Sequence, residues 1–139
     1  MNEDAQAFIK GASPVIDHYG TWPTFHDADY VNIQIDMDGP TVFINFRLYD
    51  WDEAADKAKR PNISLLWHGV EGLRLVGIEE LGQNAIGQME IKQVGDMVTT
   101  LIESTFSGTT VELQAVSVEV THFGPDEDWD YETRHSASD

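Results

Sequence analysis

The chain has 139 residues, 41% of them apolar, which fits one domain with a real core. Its 25 acidic and 8 basic residues give a formal net charge of −17, which argues against nucleic-acid binding and against anionic membranes and suits a cationic partner. With no cysteine, disulfides, thiolate nucleophiles and Cys-based zinc sites are excluded.

Met1-Asn2-Glu3-Asp4 is acidic and lacks the apolar region of a signal peptide. No apolar run approaches bilayer length, and a domain without disulfides suits a reducing compartment, so the expected location is the cytoplasm. Plain solubility alone is the alternative reading of the acidity.

Asn2 can cap a short helix in which Ala5, Phe8, Ile9 and Ala12 recur at helical spacing, with Gly11 as its stop. Ser13-Pro14 then starts a second helix, with Val15, Ile16 and Tyr19 apolar and Gly20 just past its end. Neither is long enough to stand alone, so both are expected to lie on a sheet.

Trp22-Pro23-Thr24-Phe25-His26-Asp27-Ala28 makes an aromatic-proline corner that leads into a strand. In that strand Val31, Ile33, Ile35 and Met37 alternate with Asn32, Gln34 and Asp36. Asp38-Gly39-Pro40 turns the chain. Val42, Ile44, Phe46 and Leu48 then form an apolar face opposite Phe43, Asn45, Arg47 and Tyr49. Residues 50–60 break the pattern and read as a surface excursion closed by Pro61. Strands follow at Ile63–Val70, Leu73–Ile78, Ile86–Val94 and Met97–Phe106, with a hairpin signal at Gly95-Asp96. In the last run, Thr110–Phe123, the alternation changes phase between Ala115 and Val116, where a β-bulge would keep both halves facing inward.

The pattern predicts a mainly β (α+β) fold: an antiparallel sheet of six to seven strands, curled or two-layered, with two short N-terminal helices. Val31, Ile33, Ile35, Ile44, Phe46, Leu65, Leu75, Val118 and Val120 are the expected core. Residues 1–123 read as one domain and 124–139 as an acidic tail, disordered or loosely docked.

The Trp-Pro-x-Phe-His-Asp-Ala stretch before a first strand resembles the immunity protein 50 family, bacterial proteins found beside polymorphic toxins. Ile63–Trp67, then Val70–Ile78 and Gln83-Asn84-Ala85-Ile86, look like that family's central pattern: a strand, a short Leu-x-Leu-x-Gly strand, and a Gln-Asn pair before the next strand. Ile78 stands where an aromatic residue is expected, and Glu79-Glu80-Leu81-Gly82 looks like a small insertion. The resemblance covers roughly residues 19 to 123. It implies a binding protein that neutralises a cognate toxin, and it carries no catalytic residue.

His26 and Asp27 form the most chemical-looking pair in the chain. One reading is general base plus orienting carboxylate, or metal ligands together with Asp29 and a distant His68 or His122. The other is a hydrogen-bonded corner that pins a loop to the sheet, favoured by the lack of His-x-x-x-His or His-x-His spacing. The Asp36/Asp38 turn lacks the further donors of an EF-hand, and no phosphate loop or nucleophile elbow is present. Trp22 and Trp67 are expected in the core. Trp51 stands among Asp50, Asp52 and Glu53, a composition that suits an interface, an aromatic anchor within a charged rim; the alternative is that Trp51 folds back under its own loop.

The expected function is therefore an immunity protein, not an enzyme and without a cofactor, that binds a basic toxin domain. The expected contacts are Asp36, Asp38, Asp50, Trp51, Asp52, Glu53 and Asp56. A small hydrolase or metal-dependent enzyme built on His26 and Asp27, or a chaperone-like subunit, are the alternatives. Self-association is left open.

Overall fold

The structure, a computed structural model, describes residues 8–48, 61–77, 85–104 and 109–125. Among these residues are one helix and nine strands. In chain order they are β1 (Ile9–Lys10), α1 (Ser13–Tyr19), β2 (Asp29–Asp36), β3 (Thr41–Arg47), β4 (Pro61–His68), β5 (Glu71–Val76), β6 (Ile86–Val94), β7 (Met97–Ser104), β8 (Thr110–Ala115) and β9 (Ser117–Pro125). They form two sheets. One has five strands in the order β1-β9-β4-β3-β2, and the other has four in the order β5-β8-β7-β6. All neighbours are antiparallel except β1, which runs parallel to β9.

The predicted two-layered antiparallel architecture is what forms. The shared core lies between the sheets, with Ile44, Phe46, Ile63, Leu65 and Trp67 from the first facing Ile86, Ile102, Val111 and Leu113 from the second. Trp67 is fully buried, and its indole N–H donates to the Thr100 hydroxyl at 2.9 Å. That bond ties one sheet to the other and satisfies both buried groups, which unpaired would cost about 1–3 kcal/mol each.

Of the two helices expected near the N-terminus, the second forms. It starts at Ser13 with Ala12 as the cap position and no side-chain cap, one residue earlier than Ser13 capping would give. Gly20 ends it in the left-handed conformation, its N–H donating to the Ile16 carbonyl. Val15 is buried, and Tyr19 rests against Phe123 with ring centroids 6.2 Å apart. Of the first expected helix, residues 1–7 lie outside the described residues. Ile9 and Lys10, assigned to it from sequence, instead pair with Val118 and Glu119 as a short parallel strand.

The inward face of β3 is as expected: Val42, Ile44, Phe46 and Leu48 are buried. Leu65 and Val118 are buried as well, whereas Val31, Ile33, Leu75 and Val120 are only half-buried. Ile35 departs from expectation, at 43% exposed. The β2–β3 ladder shifts register between Tyr30 and Asn32, so it is Tyr30 that turns into the core, opposite Phe46. Beyond that bulge β2 runs along the edge of its sheet, where its apolar side loses cover. Trp22, expected in the core, is half-buried at the core's margin.

The phase change after Ala115 is real but makes no bulge. Val116 is 60% exposed, β8 ends before it in the four-stranded sheet, and β9 begins after it in the five-stranded one. The antiparallel neighbour does the same in reverse: His68 belongs to β4, Gly69 turns, and Glu71 opens β5. The two chains bend together, with the Val116 N–H donating to the His68 carbonyl at 2.8 Å. One long ribbon thus folds across the corner of the sandwich, and each half keeps its apolar face inward.

Candidate functional site

The His26–Asp27 pair sits at the opposite corner. Phe25 and Asp27 both have left-handed backbone, φ 66° and 67°. Non-glycine residues hold such angles only when their surroundings over-determine them. Here the surroundings are β6. Asp27 N–H donates to the Ile86 carbonyl, Ile86 N–H to Ala28, and Met89 N–H to Thr24. A single β-bridge joins Asp29 to Ala85. Phe25 is buried edge-on against Phe46, ring centroids 5.0 Å apart, with Trp22 at 5.8 Å on its other side. Tyr30 packs beside Phe46, and burial pushes its phenol pKa up. The aromatic-proline stretch is therefore a plug that fastens the edge of one sheet to the edge of the other.

Against that frame, His26 Nδ1 lies 3.2 Å from Asp27 Oδ2, with the two side chains 62% and 42% exposed. The pair points to solvent rather than into a cavity. Asp29 stands opposite Arg47 in the β2–β3 ladder. His68 is 2.9 Å from Glu119, and His122 stands opposite Ser64. Among the described residues no three His, Asp or Glu side chains gather as a metal centre would need.

The expected acidic contacts divide. Asp36 and Asp38 come together on the β2–β3 turn, where the Asp38 N–H donates to Asp36 Oδ1 at 2.9 Å. Both are exposed. Beside them the outer face of the sheet carries a shallow hollow of about 230 Å³, lined by Gln34, Asp36, Thr41, Phe43 and Leu66. Asp50, Trp51, Asp52, Glu53 and Asp56 lie outside the described residues. So do Tyr49, the Glu79–Gly82 insertion, and 126–139 of the acidic tail. Strand β9 itself runs on to Pro125, paired with Pro61.

One polar feature was not anticipated. On the outer face of the five-stranded sheet, Asn32, Asn45, Ser64 and His122 stand side by side across four strands. Asn45, Ser64 and the neighbouring Asn62 are fully buried. Ser64 donates to Asn45 Oδ1 at 3.0 Å, and Asn62 Nδ2 to the Phe46 carbonyl at 3.2 Å. The alternation of Asn45 and Arg47 with apolar neighbours was the available signal, but period-two polarity reads as a solvated face. A second, wider hollow of about 580 Å³ lies on the four-stranded sheet, lined by Glu90, Lys92, Thr99 and Glu112 among others. Lys92 is 3.7 Å from Glu90 there, and Arg74 is 3.4 Å from Glu112.

A crystal structure of an uncharacterized protein from Neisseria gonorrhoeae is similar at 14% identity, with a TM-score of 0.47 over 73% of this chain and 93% of that one. No curated protein shows significant similarity. The sequence model of immunity protein 50 matches residues 11–124, from the turn before α1 almost to the end of β9. That span takes in the Trp-Pro plug, the bent ribbon and every strand but β1, and the chain belongs to the immunity protein 50 family.

Proposed function

We propose that this protein binds and neutralises a cognate bacterial toxin, that it does so without catalysis, and that it meets a basic toxin domain through an acidic surface in the cytoplasm. Membership of the immunity protein 50 family carries this reading. The net charge of −17 supports it by favouring a cationic partner. The contacts we assign are Asp36 and Asp38 on the β2–β3 turn, with Asp50, Trp51, Asp52, Glu53 and Asp56 on the segment that follows β3. Carboxylates at the rim speed encounter, and an aromatic anchor such as Trp51 slows dissociation.

The test is binding to the toxin domain encoded beside this gene, at low and high salt, with Trp51→Ala and a charge-reversed 50–56 segment alongside. Association should slow roughly tenfold or more as salt rises. The reversed segment should lose that dependence, and Trp51→Ala should raise the dissociation rate. Salt-independent association, together with full protection of cells by both variants, would rule out the acidic surface.

A further inference from the structure

Resting on the reading above, we propose that the outer edge of β2, which no described strand pairs, is the docking strand. It would take up an extended segment of the toxin, in which apolar and cationic residues alternate, as an added β-strand.

The backbone phase of the sheet leads there. Leu48 N–H donates to the Pro61 carbonyl and Val70 N–H to Pro40, so even-numbered residues of β3 aim their backbone groups at β4. Odd-numbered residues then aim at β2, where Thr41, Phe43 and Asn45 stand opposite Asp36, Gln34 and Asn32. By the same alternation Ile33 and Ile35 turn their N–H and C=O groups to the outer edge. Among the described residues nothing bonds them there. Ile35 is 43% exposed and Met37 87%.

Folded proteins blunt open edges with short strands, charged side chains (lysine above all), prolines, bulges or covering loops. The other edge strands here follow that rule. Strand β1 has two residues, β5 carries Arg74, and β6 carries Lys92 and is covered at its start by the plug from Thr24 to Ala28. Strand β2, Asp29–Asp36, contains neither a cation nor a proline. Its bulge lies at its buried end, so the exposed stretch remains regular.

The occupant follows from the side chains along that stretch. Gln34 and Asp36 point to the outer face, beside the hollow floored by Thr41, Phe43 and Leu66, and Asp38 lies just beyond. Ile33 and Ile35 point to the inner face. An added strand therefore places alternate residues against Gln34 and Asp36, with Asp38 just beyond, and against the isoleucines, which favours Lys or Arg alternating with an apolar residue. A second copy of this chain brings a charge of −17 to the same acidic edge, and repulsion disfavours it.

Amide hydrogen exchange of the full chain, alone and with the neighbouring toxin domain, tests this directly. A synthetic peptide alternating Val and Arg serves as a second probe, and Ile35→Pro and Ile35→Lys as variants. Proline at 35 removes only an N–H that faces outward, a place where edge strands tolerate it, and lysine there opposes a cationic strand. The Ile33 and Ile35 amides should exchange fast in the free protein and become protected in the complex. Both variants should melt like the parent and bind about tenfold or more weakly, as for loss of a hydrogen bond and its neighbouring contact. If the toxin domain binds but these two amides stay unprotected, the docking strand is wrong while the immunity reading stands. If the toxin domain does not bind yet the peptide protects both amides, the edge stands and the immunity reading fails; if the toxin domain does not bind and the peptide protects neither amide, both fall. Protection that instead grows with protein concentration, alongside a doubled mass, would make the occupant a second copy and overturn the cationic segment.

Discussion

At the Gly69/Val116 corner two strands pass bodily from one sheet into the other; at the Thr24–Asp29 corner the sheets never share a strand. The first corner rests on backbone continuity and one residue able to hold a left-handed turn. Gly69 has φ +64°, and a Cβ placed on it would stand 2.6 Å from Val116 Cγ2. The second corner is a plug. It asks Phe25 and Asp27 to take left-handed angles without being glycine, and holds them with hydrogen bonds to β6 and with an aromatic stack. Two structural problems of the same kind are thus solved by residues that look entirely different in a sequence. A glycine is read at once as a turn, whereas a His-Asp pair is read as chemistry.

The largest expected effect is at the plug's anchor. Phe46 is fully buried under Phe25 and Tyr30, so Phe46→Ala should lower unfolding stability by about 3–5 kcal/mol in a urea titration. It should also loosen the Ile86 and Met89 amides in hydrogen exchange, because those bond to the plug. A loss below about 1 kcal/mol would mean the plug is held by its hydrogen bonds alone.

Next comes the ribbon corner. Gly69→Ala combines a left-handed alanine, about 1–2 kcal/mol, with a steric collision of about 1–3 kcal/mol. Val116 is mostly exposed, so Val116→Ala alone should cost little. In the double variant it should recover only part of the collision share, because the Cβ of residue 116 itself stands 3.0 Å away, and leave the backbone share. A double-mutant cycle with no coupling between the two positions would show that the corner relaxes without Val116.

This contrast also explains how much was legible beforehand. The inward face of β3 could be read from the alternation of Val42, Ile44, Phe46 and Leu48 alone. The phase change at Ala115–Val116 was visible, but a bulge and a passage between sheets leave the same local trace. Telling them apart needs the partner strand, and the partner's own bend at Gly69 lies 47 positions away. Ile35 was misread because alternation reports which residues share a side, not whether that side has cover. The row Asn32, Asn45, Ser64 and His122 escaped notice because each strand contributes a single polar residue that is ordinary by itself. The family resemblance was legible in the plug, and the match over residues 11–124 bears it out.

The smallest effects are expected at the pair that looks most like a site. His26 is 62% exposed and bonded to Asp27 at 3.2 Å in water-accessible surroundings, so His26→Ala should change stability by no more than about 0.5 kcal/mol. Asp27→Gly probes the backbone instead. Glycine relieves a left-handed angle worth about 1–2 kcal/mol but adds about 0.4–1 kcal/mol of unfolded-chain entropy, so the variant should be neutral or slightly more stable than the parent. A catalytic or metal-binding pair differs in the other readout: the substitution removes a bound ion or the function. Metal analysis of protein purified without chelator, repeated on His26→Ala, separates the two. A stoichiometric metal that disappears with the substitution would make the corner a metal site. A metal-free parent, with both variants still protecting cells, would leave His26 and Asp27 as the outward ends of a plug whose work is done by its backbone and by Phe25.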